Sequence, residues 1–384
     1  MRSTKAGGLA PRVVAIGVVA CLVSSACSTA STGTPSPTAT SPTATSPTPG
    51  PVASHASGCF VGEAWNNYAE ERWGLWDQPA IEKPIVAAGD DYDWVDAKSS
   101  PETQATQIDA FVAKGAKVII VLPQDVSNSS ETQRAIDRAA GAGVAVIVYD
   151  RVIDNPKVLL VAFDPVEVGR MEARAILAAK PKGNYAIIKG DPQGQAESDL
   201  IASGIHEILQ PAIDRGDIKI VAETDTVNWD PSTAQTEMKT ILTDNHNKID
   251  AVISENDGMA AGVIAALKEV GLDGKVAVAG QGGDAMSLNK VALGTQTVDV
   301  WPDPRLMGKA AGDAAVALCK NPDISKLKGT TLYSSPGHNQ IPSFLLAPQP
   351  VTKDNLNVVI DSAWVKKTDI CVGVDPSKAP PACK

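Results

Sequence analysis

The 384-residue sequence lacks the motifs by which most catalytic sites are recognised, and it is poor in aromatic side chains. Phe, Trp and Tyr make up only 4% of its residues. It has no Gly-x-Ser-x-Gly nucleophile elbow, no His-Glu-x-x-His zinc motif and no phosphate loop ending in Gly-Lys-Ser or Gly-Lys-Thr. We therefore expect a protein that is not an enzyme and that carries no cofactor.

Positive charge and metal-ligand clusters are also scarce. The chain has 34 Lys and Arg against 44 Asp and Glu, for a formal net charge of −10, whereas a nucleic-acid partner favours a basic surface. Cys-x-x-Cys pairs are absent and the four histidines are scattered. Neither a nucleic-acid partner nor a metal site is expected.

Beyond the N-terminus, no stretch is apolar for long enough to span a bilayer. The N-terminus itself has basic residues, an apolar stretch at 13–23 and small residues at 24–26 before Cys27, which resembles a bacterial lipoprotein signal. Residues 1–27 are therefore predicted to be a lipoprotein signal peptide, with Cys27 acylated and the protein anchored to the outer face of the cell membrane. Acylation at Cys21 and an ordinary secretion signal are the alternatives.

Residues 28–57 are rich in Pro, Thr and Ser and repeat Ala-Thr-Ser-Pro-Thr in tandem. Such a composition cannot bury a core and favours an extended, solvated backbone. We expect a disordered linker that holds a folded domain off the membrane and whose hydroxyl groups could be glycosylated.

Four cysteines follow this linker. Outside the cytoplasm, an even number of cysteines favours disulfides. Cys371 and Cys383 flank a short stretch rich in Gly and Pro, so we expect a local disulfide there. Cys59 would then pair with Cys319, although spacing alone does not determine this connectivity.

Apolar runs of strand length alternate with helical patterns in two successive series. Runs such as 118–122 and 144–149 are continuous, as expected for parallel strands that are buried on both faces. Two such series favour an α/β fold with two parallel-sheet lobes, joined by crossings that form a hinge. The predicted boundaries are 58–164 plus 302–340 for the N-terminal lobe, 165–301 plus 341–365 for the C-terminal lobe, and 366–384 for a cysteine-containing tail.

Seven of the aromatic residues are Trp, and Trp73, Trp229 and Trp301 follow or close predicted strands. In open α/β sheets, ligands bind beyond the carboxyl ends of the strands. Indole faces beside carboxylates and amides suit a sugar ring, because its C–H faces pack on apolar surface while its hydroxyls bond to planar polar groups. The alternative is that these indoles only fill the core.

Several segments, in this order along the chain, resemble those of type I periplasmic sugar-binding proteins, and most closely the D-xylose-binding branch. They are Glu70-Glu71-Arg72-Trp73, Val148-Tyr149-Asp150-Arg151, Phe163-Asp164, Lys248-Ile249-Asp250-Ala251-Val252, Asn256-Asp257 and Gly294-Thr295-Gln296-Thr297. The resemblance covers about residues 60–365 and implies two Rossmann-like lobes joined by a three-segment hinge. It also implies a monosaccharide that is enclosed between the lobes and delivered to the permease subunits of an ABC importer.

The same resemblance assigns ligand contacts to both lobes. It implies that Arg72 and Arg151 donate to sugar hydroxyls and that Asp150 accepts from them. It further implies that Trp73 and Trp229 stack on ring faces, while Asn256 bonds from the second lobe. The candidate set is completed by Gln195, Glu197, Asp257, Gln281, Asp284 and Trp301.

The sequence departs from this branch at positions that usually contact the sugar. Gly282 stands where the branch has an Asp, and Pro302 stands where it has a Lys. Losing a charged partner from a buried hydrogen bond costs about 1–3 kcal/mol, so the resemblance predicts a sugar receptor without identifying the sugar as xylose. Replacement contacts could come from Gln195, Glu197, Asp284 or Asp303.

Three other functions remain open at this point: a sugar-sensing lipoprotein with a signalling partner, a carbohydrate-active enzyme, and a receptor for a polyol or a purine-like autoinducer. The enzyme would need two facing carboxylates, and Arg151 next to Asp150 favours the ionised form of that carboxylate over a proton donor. We expect the protein to be a monomer.

Overall fold

The computed structural model describes residues 58–68, 72–191 and 197–384. The predicted signal peptide with Cys27, the predicted linker and the candidate Gln195 lie outside these residues.

The described residues form thirteen strands and eleven α-helices. The strands are β1 (Phe60–Trp65), β2 (Asp91–Asp96), β3 (Val118–Val121), β4 (Ala145–Tyr149), β5 (Leu159–Phe163), β6 (Gly183–Lys189), β7 (Ile218–Asp225), β8 (Ala251–Ser254), β9 (Ala277–Gln281), β10 (Val298–Trp301), β11 (Thr331–Ser334), β12 (Gln340–Leu346) and β13 (Gln349–Val351). The helices are α1 (Gln78–Ala87), α2 (Pro101–Ala113), α3 (Glu131–Gly141), α4 (Pro165–Ala179), α5 (Glu197–Asp214), α6 (Pro231–Asp244), α7 (Asp257–Glu269), α8 (Ala285–Leu293), α9 (Pro304–Lys320), α10 (Asn357–Asp361) and α11 (Lys367–Ile370). A π-turn, Trp73–Asp77, leads into α1.

The first lobe is a seven-stranded sheet in the order β11-β12-β5-β4-β3-β1-β2. Its strands pair in parallel except for the β11–β12 pair. All positions of β3 are buried, because α2 and α3 pack on one face of the sheet and α1 and α9 on the other. The continuous apolar runs of the sequence therefore have the expected cause.

The second lobe is a six-stranded sheet in the order β13-β10-β9-β8-β6-β7, with only the β10–β13 pair antiparallel. The apolar sides of α4 and α5 cover one face, and those of α6 and α7 cover the other. The predicted α/β fold with two parallel-sheet lobes is confirmed.

Three chain segments connect the lobes. The first two begin a helix with Asp-Pro: the Asp164 carboxylate accepts from the N–H groups of Val166 and Glu167, and the Asp303 carboxylate accepts from Arg305 N–H. An Asp cap followed by Pro at the first helical position is a strong helix start, so each of these crossings turns directly into a helix of the next lobe.

The third crossing lies between β12 and β13, and this corrects one predicted boundary. The segment from residue 341 was assigned to the C-terminal lobe, but β12 pairs in parallel with β5, with Ser343 opposite Leu160. The free edge of β5 accepts this strand, and chain order alone could not show which sheet it would join. Asp164 N–H donates to Leu346 O over 3.0 Å, so the first and third crossings lie side by side.

Both predicted disulfides are present in the structure. Cys59 is bonded to Cys319 with a Cα–Cα distance of 5.8 Å, and Cys371 to Cys383 with a Cα–Cα distance of 5.6 Å. The first joins the start of β1 to the end of α9, and the second closes the C-terminal tail. Within the described part of the chain, no helix combines the length and apolarity that crossing a membrane requires.

Candidate functional site between the lobes

Arg72, at the start of the π-turn, is held by two groups of the first lobe. Its Nε and Nη2 donate to Asp77 Oδ2 over 3.0 Å and to Oδ1 over 2.7 Å, and its guanidinium lies 4.3 Å from the ring centroid of Trp73. A bidentate pair combined with stacking fixes the plane of a guanidinium. Arg72 is therefore oriented before any ligand arrives.

Asp150 and Arg151 follow β4, and Asp150 lies beside Arg72. Asp150 Oδ1 is 3.7 Å from Arg72 Nη2, and Arg151 Nη1 donates to Pro123 O over 3.4 Å at the end of β3. Asp150 has a φ of +68°, a conformation that Asp and Asn adopt more readily than most residues. The structure thus brings together the predicted donors and the predicted acceptor of the first lobe.

Glu197 brings the second lobe to the same place. It is the first residue of α5, and its pKa is raised to about 7, chiefly because the surrounding protein displaces water and then because of the charge of Asp150. Arg151 and Arg72 lower the same pKa. The residue as a whole has exposed surface, but its carboxylate is surrounded by protein, and the charges of Asp150, Arg151 and Arg72 all act on it.

Apolar contact across the cleft accompanies this charge cluster. Leu200, which lies within the first turn of α5, packs against the first-lobe core that contains Val121 and Val148. The two lobes therefore touch beside Glu197, and α5 is the element of the second lobe that faces the charges of the first.

Trp229 ends a 3-10 turn whose last two residues have positive φ, +57° for Asn228 and +55° for Trp229. Its indole lies on Gly190, where a Cβ would come within 2.2 Å of the ring. Only glycine permits this approach. Gly190 N–H donates to Glu255 Oε2 over 2.8 Å, and Ser198 Oγ donates to the same oxygen over 2.5 Å, which joins Trp229 to the ends of β6 and β8 and to the start of α5.

Asn256 and Asp257 differ from the predicted arrangement. Asn256 is partly exposed and caps α7, because its Oδ1 accepts from Met259 N–H over 2.7 Å. Its amide nitrogen is the group left for a ligand. Asp257 is only 3% exposed and accepts from Asp284 N–H over 2.9 Å. The Asp257 carboxylate supports the turn after β9, and its predicted ligand contact stays a prediction.

That turn explains the unusual Gly282. Gly282 has a φ of +146°, and a Cβ on it would lie 2.9 Å from Asp257 Oδ2. A carboxylate at position 282 would thus collide with Asp257.

The candidates Gln281 and Asp284 flank this turn. Gln281 ends β9 opposite Val300 and is partly exposed, and Asp284 is exposed at the start of α8. Both side chains are accessible to a ligand on the second lobe, and among the described residues no hydrogen bond joins either of them to the first lobe.

Two further predicted contacts are buried. Trp73 is 2% and Trp301 is 3% exposed, so protein covers both rings almost completely, and their ligand contacts stay predictions. Trp73 lies beneath Arg72 and against Trp65. Trp301 packs on Trp364, with ring centroids 5.7 Å apart. In the structure both indoles pack against other tryptophan rings.

Asp303, a candidate for a replacement contact, is engaged by an arginine of its own lobe. Both of its carboxylate oxygens accept from the Arg305 guanidinium, over 2.8 and 2.7 Å. That guanidinium also lies 5.4 to 5.8 Å from the ring centroids of Trp76, Trp301 and Trp364. This cluster belongs to the hinge side of the molecule and was not anticipated from the sequence.

Asp257 shares its burial with Asp299. Burial raises the pKa of Asp257 to about 6, and burial together with the charge of Asp257 raises the pKa of Asp299 well above its usual value. Asp299 Oδ1 accepts from Gly283 N–H over 3.1 Å, but its Oδ2 has no N–H or O–H donor among the described residues. The pair therefore favours a bound proton.

This pair should make stability depend on pH. An acid whose folded pKa is raised stabilises the fold most below its unfolded pKa of about 4, and that contribution is lost as the pH rises through the folded value. Asp299→Asn removes one ionisation, so we expect it to stabilise the protein by about 1–2 kcal/mol at pH 8 and to change little at pH 4. Urea unfolding at both pH values measures this; equal effects at the two pH values would contradict it.

Two α/β lobes that are linked by three crossings, with charged side chains at facing strand ends, define a class of two-lobe receptors that enclose a small ligand. The family model described as Periplasmic binding protein domain matches residues 63–323. The chain belongs to this family.

Individual relatives agree. The chain is 33% identical over 321 residues to the D-xylose-binding periplasmic protein of Escherichia coli (strain K12), which covers 83% of this chain and 94% of that protein. It is 28% identical over 283 residues to the xylitol-binding protein of Mycolicibacterium smegmatis, with 73% and 74% covered. An ABC transporter solute binding protein from Clostridium phytofermentans with bound β-D-glucose has a TM-score of 0.66, 25% identity, and coverage of 81% and 99%. These relatives are named as binding proteins, which agrees with the expectation that this chain is not an enzyme.

Proposed function

We propose that this protein is an extracytoplasmic receptor that captures one uncharged monosaccharide or closely related polyol between its lobes and delivers it to an ABC importer. The observation that carries the proposal is the convergence of Arg72, Asp150 and Arg151 of the first lobe with Glu197 of the second. Relatives named for xylose and xylitol, and a neighbour with bound glucose, support a polyhydroxyl ligand.

The chemistry of the four groups suits such a ligand. A sugar hydroxyl both donates and accepts, so it can donate to a carboxylate and accept from a guanidinium at the same time. The site offers two carboxylates and two guanidinium groups, whose charges balance. Trp229 and the Asn256 amide lie on the second lobe, where a ring face and a further hydroxyl would meet them.

Closure follows from contacts to both lobes. A ligand shifts a conformational equilibrium only by its differential affinity for the two states. A sugar held by Arg72 and Asp150 gains contacts to Glu197 and Trp229 only when the lobes approach each other. The closed receptor is the form that the permease subunits would recognise.

The proposal does not single out xylose as the ligand. At position 282 there is no carboxylate, and Asp257 leaves no room for one. Pro302 provides no ammonium group. Glu197 would instead supply a carboxylate to the sugar from the start of α5.

A panel of neutral sugars and polyols tests the proposal. Titration followed by tryptophan fluorescence and by thermal shift should show saturable one-to-one binding of at least one pentose, hexose or polyol. A panel that produces neither a spectral nor a thermal response would overturn the proposal, and turnover of a glycoside would reassign the protein to the enzyme class.

Sugar affinity should depend on pH through Glu197. Its pKa of about 7 means that the carboxylate forms as the pH rises through neutrality, and an ionised carboxylate is the stronger acceptor for a hydroxyl. We expect affinity to rise between about pH 6.5 and 8, and Glu197→Gln to remove this rise. Glu207→Gln is the matched control, because Glu207 lies on the same helix but pairs with Arg170 at the surface. A Glu197→Gln variant with the wild-type pH profile would exclude Glu197 from the site.

The cellular location and the oligomeric state of the receptor are a separate part of the proposal. We infer acylation of Cys27, with residues 28–57 as the linker to the membrane, and a monomeric mature protein. Metabolic labelling with a palmitate analogue should mark the wild type and not Cys27→Ala, which should be released from the membrane. Labelling that persists in Cys27→Ala would move the lipid elsewhere, and a dimer in analytical ultracentrifugation would exclude the monomer.

A further inference from the structure

Asp77 is a buried carboxylate at the meeting point of the elements that carry the first-lobe charges. Its side chain is fully buried. It accepts two hydrogen bonds from Arg72, over 3.0 and 2.7 Å, and one from Tyr149 Oη over 2.6 Å. Tyr149 is the last residue of β4 and immediately precedes Asp150. One carboxylate therefore connects the π-turn with the end of β4.

The π-turn makes this contact possible. Residues five apart lie about 140° apart around an α-helix, so Arg72 and Asp77 would point in different directions there. Here Gln78 N–H donates to Trp73 O, which is a bond between residues five apart. This wider turn, which is rare and frequent at functional sites, brings Asp77 over Arg72.

Burying the Asp77 carboxylate costs free energy, so stability alone does not explain this arrangement. Burial raises the pKa of Asp77 to about 6 despite the opposing effects of Arg72 and Tyr149. A buried ion pair is often no more stabilising than apolar residues of the same volume. Retaining an ionised carboxylate here is therefore better explained by what it does to Arg72 and β4 than by stability.

We propose that Asp77 is a positioning residue for ligand binding: it holds the Arg72 guanidinium and the Tyr149-Asp150-Arg151 segment in one fixed relation to each other. Asp77 does not touch the ligand. It occupies two N–H groups of Arg72 and leaves the others, next to Asp150 at 3.7 Å, for the ligand. This inference rests on the proposed function, because it assumes that Arg72 and Asp150 meet a sugar.

The first test replaces the carboxylate by an amide. Asp77→Asn should weaken binding of the sugar selected by the panel by about 10- to 100-fold, because it removes the acceptor from charge-assisted bonds. Glu82→Gln is the matched control: it makes the same chemical change on α1, where Glu82 bonds to Gln78, and should leave affinity unchanged. If Asp77→Asn fails to fold, Tyr149→Phe removes only the hydroxyl bond and should still weaken binding severalfold. Wild-type affinity in whichever variant folds would overturn the proposal.

A double-mutant cycle separates positioning from general damage. If Asp77 positions Arg72, Asp77→Asn should cost clearly less affinity once Arg72 is Gln, and the remaining loss should not exceed that of Tyr149→Phe. Fully additive losses would show that Asp77 acts independently of Arg72 and would contradict the proposal.

The ligand-free protein provides a readout that does not depend on the proposed function. The Arg72 Nε–H bond to Asp77 should give a slowly exchanging arginine Nε–H signal in NMR, lost in Asp77→Asn and kept in Glu82→Gln. If no protected arginine signal of the wild type disappears in Asp77→Asn, the bond between Arg72 and Asp77 itself is refuted. A protected signal together with no binding of any sugar would instead refute the proposed function, and with it the role assigned to Asp77.

Discussion

Replacing Asp150 by asparagine is expected to weaken sugar binding about 100-fold while leaving the fold intact. Hydrogen bonds to charged groups contribute about 1.5–3 kcal/mol, and the Asp150 carboxylate is the acceptor that the first lobe presents beside Arg72. Asparagine keeps the shape of the side chain and tolerates the φ of +68°. Isothermal titration of wild type and variant measures the loss directly.

Two controls make this result specific. Asp109→Asn breaks an exposed ion pair with Arg138 on α2 and α3 and should leave sugar affinity unchanged. Asp150→Ala lacks the tolerance for positive φ, so it should also lower the unfolding free energy by about 1 kcal/mol. Binding by Asp150→Asn within about twofold of wild type would remove this carboxylate from the site.

The second large effect concerns the Cys59–Cys319 disulfide. Its cysteines are 260 residues apart in sequence, against 12 for Cys371–Cys383. A longer closed loop removes more entropy from the unfolded chain, and the loop-closure contribution to stability is about 5.5 kcal/mol for the first bond and about 3 kcal/mol for the second. Cys59→Ser with Cys319→Ser should therefore lower the melting temperature by roughly 10 °C.

The paired replacement of Cys371 and Cys383 by serine is the comparison, and it should cost less. Calorimetry of both double variants decides the order. Sugar affinity should change little in the Cys59 and Cys319 variant, because that bond lies at the start of β1, at the opposite end of the strand from the cleft. A larger loss from the tail disulfide would contradict the loop argument.

Much of the fold follows from the pattern of apolar runs. Strands such as β3 and β8 are continuous apolar stretches because both faces of each sheet are covered, and the two Asp-Pro crossings are visible as helix starts. The position of β12 could not be read in this way. Its chain position allows either sheet, and only the free edge of β5 decides between them.

The placement of several candidate residues was predictable from residue type and position after a strand. Arg72, Asp150 and Arg151 come together as expected, and Glu197 joins them from α5. The direction in which a side chain points could not be predicted from the sequence. Trp73 has the right position after β1, but its ring turns into the core.

The burial of Asp257 follows from the position of the helix cap. Asn256 caps α7, so Asp257 falls inside the first turn and is buried. The contact between Arg72 and Asp77 was not predicted, because residues five apart do not share a face of an α-helix. No sequence pattern indicated the π-turn. Gly190 follows β6, and a glycine at that position could have indicated that another group approaches the backbone closely. The Trp229 ring is the group that does so.

A crystal structure of the protein with the sugar selected by titration tests the central claim most directly. The account predicts one sugar between the lobes, within about 3.2 Å of polar atoms of Arg72, Asp150 or Arg151 on one side and of Glu197 or Asn256 on the other. A sugar that is bound outside the cleft, or that contacts one lobe only, would contradict it.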